Sequence, residues 1–223
     1  MNIALDHVFV CCAPDAPEAQ TLLDIGLVEG TSNIHPGQDT TNRRFFFDGG
    51  FLELLWVSDV DEAQSSLTMP TRLWQRWSTR NHGSCPFGIA FRPTGDHVAL
   101  PPFLAWDYRP KYLPRDKHIL FAQQTSLQEP ELFYLNWIDP QKSSVTQPKN
   151  HFNGLQRLIS ASVGLPLRIS LSPASMQVQA AGLLGFHVAS QYELRLSFTG
   201  RKPVTFNLAP VLAMTLTAVL DEA

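Results

Sequence analysis

Apolar and polar residues alternate in short runs along most of this chain, and only a few stretches keep a helical period. Residues 3–12 read as a strand, with Leu5, His7 and Phe9 on one face and Asp6, Val8 and Val10 on the other. Residues 15–25 read as a helix that Asp15 caps, Pro17 starts and Gly26 ends, with Leu22, Leu23 and Ile25 as its apolar face. A short strand at 26–30 leads into a polar loop from His35. Strands at 43–47 and 51–57 follow, joined by Asp48-Gly49-Gly50, a turn where glycine tolerates positive φ.

Beyond an acidic connection at 59–66, residues 69–80 read as a helix. Leu73, Trp74 and Trp77 lie on one side of it and Arg72, Arg76 and Arg80 on another. Strands are expected at 86–92, 119–123 and 132–137, a Pro-rich aromatic segment at 101–110 and a loop at 139–149. A strand at 155–164 then precedes a helix at 172–184, capped by Ser172 with Pro173 at its first position. Further strands at 185–190, 192–199, 203–208 and 211–220 complete the chain. The order strand, helix, strands occurs twice, once from Leu5 and once from Leu155. An α+β fold of two modules is therefore expected: module one at 1–60, an inserted segment at 61–150 and module two at 151–223, all in a single domain.

Composition narrows the function classes. The 223 residues are 44% hydrophobic and 17% charged, as in a globular protein. A formal net charge of −3 gives no electrostatic reason to expect nucleic acid or an anionic membrane. No apolar run has the length of a membrane span, and the first residues lack the pattern of a secretion signal. A cytoplasmic location, with Cys11, Cys12 and Cys85 as free thiols, is the expectation. Neither a phosphate-binding glycine loop nor a Gly-x-Ser-x-Gly elbow is present.

The candidate chemistry centres on Glu53. A carboxylate among Phe51, Leu52, Leu54 and Leu55 is protonated, paired, metal-bound, or an edge residue that reaches water. His7, among large apolar neighbours, is either a core histidine or a ligand. One of Arg43 and Arg44 must share the face of nearby phenyl rings, where a guanidinium needs an anion; Arg44 alternates with Phe46. Trp106, Tyr108 and Arg109 form either a packed wall or a pocket lip, with Arg109 as anion holder.

Three stretches carry a resemblance: Leu5-Asp6-His7-Val8, then His35-Pro36-Gly37 with Thr40 and Asn42, then Phe51-Leu52-Glu53-Leu54. They resemble the glyoxalase-like branch of the vicinal oxygen chelate superfamily. The segment from Pro101 to Pro110 and the turn Asn150-His151-Phe152-Asn153-Gly154 are similar to further parts of that group, with Phe152 in place of a proline and Asp39 in place of a loop glycine. The resemblance implies paired βαβββ modules forming a cupped mixed sheet. It implies a divalent metal (Zn, Mn, Fe or Ni) on His7 and Glu53, with His151, His35 or His187 as the third ligand. It implies Glu53 as catalytic residue and His35, Arg44, Trp106 and Arg109 as ligand-binding residues. The activity implied is a lyase, isomerase or dioxygenase acting on a small oxygen-bearing substrate. A metal-free binding or sequestration protein of the same fold is the alternative, favoured by the missing second carboxylate in residues 203–208 and by the many Trp and Phe residues. A small-molecule ligand and a homodimer are the partners that the resemblance admits.

Overall fold

The computed structural model describes residues 2–38, 40–95, 100–137, 146–167 and 169–220. Asp39 and most of the loop expected at 139–149 lie outside them. Eight strands form one sheet: β1 (Ile3–Cys11), β2 (Asn33–His35), β3 (Thr40–Phe47), β4 (Gly50–Val57), β5 (Phe87–Pro93), β6 (Ala105–Tyr108), β7 (Ile119–Ala122) and β8 (Glu131–Tyr134). Their order is β2-β3-β4-β1-β5-β8-β7-β6. The parallel pair β1–β4 and the parallel pair β5–β8 meet where β1 runs antiparallel to β5. Each half thus has the same strand order, so the sheet is a paired-module, cupped mixed sheet.

The segment expected to be an insertion supplies half of this sheet. A strand at 86–92 lacking histidine hides its kinship with β1, and pairing, which lies outside the local pattern, decides the matter. Residues 155–220 instead build a second, five-stranded sheet from β9 (Leu155–Pro166), β10 (Gly185–Ala189), β11 (Glu193–Gly200), β12 (Val204–Asn207) and β13 (Met214–Leu220), ordered β10-β9-β11-β13-β12. Its centre repeats the larger sheet's scheme: parallel, antiparallel, parallel.

The two sheets share one apolar core. Val8, Val10, Phe45, Phe47, Leu52 and Leu54 face Leu158, Val163, Leu196 and Phe198. The Phe47 and Phe198 rings stand 4.6 Å apart. Burying each phenyl side chain contributes roughly 2 to 3 kcal/mol. The other face of the eight-stranded sheet is cupped, and the side chains it carries line a cleft. β4 is therefore apolar on both faces, which is why its sequence does not alternate.

The helices are shorter than their patterns. α1 spans Ala19–Asp24, because Asp15 and Ala16 sit at φ 63° and 42°, outside the helical region. Gly26, at φ 89°, closes it. α2 (Val60–Ala63) is capped by Asp59. The helix expected at 69–80 is divided at Arg72, φ 56°, into a 3-10 turn, Met69–Thr71, and α3, Leu73–Ser78. Arg76 is buried, and its Nη1 donates to the carbonyls of Cys85 and Glu129. α4 (Pro173–Ala180) has Ser172 as its cap, its hydroxyl accepting from the Ser175 amide. Glu129 accepts from the Ser172 amide at 2.7 Å and ties this helix to the larger sheet. The three cysteines are free and buried. No helix among the described residues is long and apolar enough to cross a membrane.

Candidate binding cleft

A bulge decides which β1 residues reach the cleft. The β1–β5 register shifts between Leu5 and His7. Strict alternation puts Leu5 with His7 and Asp6 with Val8. With the bulge, Leu5 packs on the inter-sheet core, while both Asp6 and His7 line the cleft with Phe9. Gly50, in the hairpin turn, makes this close packing feasible, since a Cβ there would strike the Asp6 carbonyl.

The cleft has a volume of about 1330 Å³. A buried polar chain crosses its floor. Arg92 Nε lies 3.2 Å from one Asp6 oxygen, and His7 Nδ1 lies 2.7 Å from the other. An Asp6 held by Arg92 is an acceptor, so Nδ1–H of His7 donates to it and Nε2 is turned away. That Nε2 stands 3.6 Å from Glu53 Oε2, beyond hydrogen-bond range. Glu53 Oε1 accepts a hydrogen bond from Asn42 Nδ2. Phe51 stacks on the His7 ring at 4.3 Å, and Phe133 meets it edge-on. His7 and Glu53 are both more than nine-tenths buried, so two polar groups share a mostly apolar floor, close enough for one ligand atom to meet both.

Arg44 stands on the cleft side, in register with Glu53 across the β3–β4 pair. Its guanidinium lies over Phe46 at 5.1 Å, and its Nε donates to the Thr31 carbonyl at 2.7 Å. Burial lowers its pKa. No carboxylate comes within ion-pair distance of it among the described residues, so the Arg44–Glu53 pair considered from the sequence does not form. Arg43 turns the other way and binds Glu29 through Nε and Nη2.

The remaining candidates separate. His35 lines the cleft, its ring nitrogens meeting Thr40 Oγ1 at 2.9 Å and Asn33 Nδ2 at 3.1 Å, and burial lowers its pKa. His151 is not a ligand of the cleft. Its Nδ1 accepts from the Val28 amide at 3.0 Å, and its Nε2 donates to the Phe46 carbonyl at 2.9 Å, so both nitrogens serve the backbone. His187 belongs to the five-stranded sheet, 3.4 Å from Glu193. Trp106 stacks on Phe121 beside a smaller adjoining cavity rather than in the main cleft. Arg109 is exposed and paired with Asp107 at 3.1 Å. It points to solvent because it follows the end of the short strand β6.

Sequence reading missed Glu131, which is buried in the same cleft. The signal was present, since Glu131 precedes Leu132-Phe133-Tyr134 just as Glu53 interrupts an apolar strand. Burial raises its carboxyl to about 7, with Arg76 and Arg72 opposing the rise. The register explains its place. Phe9 is level with Glu53 on one side and with Gly88 on the other, and Gly88 is level with Glu131. Glu53, Phe9, Gly88 and Glu131 therefore form one row across four strands. A Cβ on Gly88 would fall inside the Phe9 ring, so that ring leans over Gly88 and occupies the midline between the two carboxylates.

This row tests the metal that the fold implies. His7 and Glu53 converge as two ligand atoms of a divalent ion would, but a catalytic site takes about three protein ligands. The second half of the sheet contributes Glu131, level with Gly88 as Glu53 is with Phe9, but the Phe9 ring lies between the two carboxylates, and no group of three metal-binding side chains occurs among the described residues. The donor set does not fit a resident catalytic metal.

No protein-family model and no curated protein matches the sequence. Solved structures do match in shape. A hypothetical protein from Staphylococcus aureus aligns over 98% of this chain and 100% of its own, with a TM-score of 0.51 and 10% identity. A mutant 4-hydroxymandelate synthase from Streptomyces coelicolor aligns over 98% of this chain and 62% of its own (TM-score 0.45, 12% identity). Methylmalonyl-CoA epimerase from Mycobacterium tuberculosis aligns over 62% and 90% (TM-score 0.40, 12% identity). The strand order, two four-stranded halves of the same plan joined at β1 and β5, is the paired-module arrangement expected from the glyoxalase-like resemblance.

Proposed function

We propose that this protein binds a small organic molecule in the cleft of the eight-stranded sheet. The apolar body of the ligand lies against Phe9, Phe51, Phe121 and Phe133, and an oxygen-bearing end meets His7, Glu53 and Arg44. The observation that carries this reading is the polar chain of Arg92, Asp6, His7, Glu53 and Asn42, buried at the floor of a large aromatic-walled cleft. Convergent polar groups in a mostly apolar pocket are the usual form of a small-molecule site. Arg44 has no carboxylate partner among the described residues and supplies a cation for an anionic oxygen.

The metal-enzyme reading, with Glu53 as ligand or base, draws on the convergence of His7 Nε2 and Glu53 Oε2. One experiment separates the two. Protein purified without chelator is analysed for divalent metals and, by native mass spectrometry, for a retained organic molecule. The binding reading expects less than stoichiometric metal and a retained ligand that Arg44→Met releases. A stoichiometric divalent ion that disappears in Glu53→Ala overturns it in favour of the enzyme.

A further inference from the structure

Among the described residues, Glu131 is the one cleft carboxylate with no assigned work. It is more than nine-tenths buried, and no donor among the described residues hydrogen-bonds its side chain; Arg76 and Arg72 act on it only through space. It borders two spaces at once, the main cleft and an adjoining cavity of about 380 Å³ that Arg72, Trp106, Gln123 and Thr125 also line. Thr71 and Phe121 border both as well, so these three residues form the waist between the compartments. A carboxyl that no described donor meets, set where two spaces join, is open to a partner from the cleft.

Its distance from the other polar centre is fixed by the sheet. Glu53 and Glu131 stand in one row, three interstrand spacings of about 4.8 Å apart, so at most about 14 Å separates their Cα atoms across the cupped sheet. Between them the floor is the Phe9 ring laid over Gly88, flanked by Phe133 at 6.1 Å and continued by Phe121. That arrangement offers two poles with an aromatic floor between them.

We infer that the ligand is an elongated, largely aromatic molecule with a polar group at each end: an anionic end at Arg44, and a neutral hydroxyl or carbonyl end at Glu131. This rests on the binding reading above and specifies its ligand class. Glu131 takes a hydroxyl or carbonyl through a hydrogen bond that no described residue makes to it, and the smaller cavity beyond it accommodates a substituent at that end.

The test uses two probes in isothermal titration calorimetry with the full chain, biphenyl-4-carboxylate and 4′-hydroxybiphenyl-4-carboxylate. The hydroxylated probe is expected to bind about tenfold more tightly, the worth of one buried hydrogen bond. Glu131→Leu is expected to bring the two affinities together without weakening biphenyl-4-carboxylate. Glu131→Gln, which still donates and accepts, is expected to keep the preference, and Arg44→Met to weaken both probes alike. Equal affinities in the wild-type chain, or a preference that survives in Glu131→Leu, overturn the second pole while leaving the binding reading in place. The 4′-methyl counterpart in the wild-type chain reads the same preference without any variant. If neither carboxylate probe binds, the binding reading itself fails and the two-pole inference with it.

Discussion

The two sheets each carry a histidine–glutamate pair, His7–Glu53 at 3.6 Å and His187–Glu193 at 3.4 Å. Each sheet also has a glycine on a central strand that lets a neighbour lean across. In the larger sheet Phe9 covers Gly88 and holds Glu53 and Glu131 apart. In the smaller one His187 and Glu193 are both level with Gly164, and a side chain there would strike the His187 ring, so the pair meets across the gap. The environments then diverge. His187 and Glu193 keep about a quarter of their side chains exposed, and Arg195 grips Glu193 through two nitrogens at 2.9 Å, holding its pKa below the usual carboxylate range. His7 and Glu53 lie at the bottom of a cleft, without such a cation on Glu53. The same two residue types at nearly the same spacing make a surface ion pair in one sheet and a binding floor in the other. Enclosure and the neighbouring charges make the difference, not the pair.

Removing the carboxylates tests this most directly. Glu53→Ala strands the buried Asn42 amide and is expected to cost about 3 kcal/mol in urea denaturation. Glu193→Ala is expected to be indistinguishable from the wild type, because the exposed pair is screened by water. Equal losses would show that burial does not separate the two pairs.

The next effect concerns pH. Burial lifts Glu131 from 4.5 to about 7, so the folded chain holds a proton that the unfolded chain releases. Its contribution is full below about pH 4.5, declines as the pH rises to about 7 and is flat above, a loss of about 3 kcal/mol. Glu131→Gln is expected to remove that decline and to be the more stable protein at pH 8, with little difference near pH 4. Denaturation midpoints across this range that run parallel in the two proteins would contradict a buried, neutral Glu131.

A smaller loss is expected at His151, which serves two backbone groups rather than a ligand. His151→Ala leaves the Val28 amide and the Phe46 carbonyl unpaired, at about 2 kcal/mol, with probe affinity in the cleft unchanged. A loss of affinity without a loss of stability would return His151 to the site. Smallest of all, Arg109→Ala is expected to alter neither stability nor probe binding, since Arg109 is exposed and its partner is Asp107. Any effect on the probe would bring the Pro-rich segment back as a pocket lip.

Local pattern made several features legible. The runs around β1, β3, β4, β9 and β11, the turn at Gly49 and the Ser172 cap depend on side-chain alternation and φ preference, which neighbouring residues set. Glu53 was legible for the same reason, because a carboxylate in an apolar strand demands an explanation wherever the strand goes. Alternation required one of Arg43 and Arg44 to share a face with phenyl rings; the sheet decided that Arg44 is the one on the cleft side. Other features needed the fold. The partner of the first module is β5–β8 and not the stretch after Leu155, because sheet register is a long-range choice that residues 86–92 do not announce. The bulge that turns Asp6 and His7 to one side depends on pairing between β1 and β5. His151 looked like a ligand until its two nitrogens met backbone groups from residues 28 and 46. Glu131 entered the site only when Gly88 and Phe9 fell into register with it. The chain fixes which residues can be strand, turn or buried acid; convergence depends on distances between segments far apart in sequence, and only packing sets those.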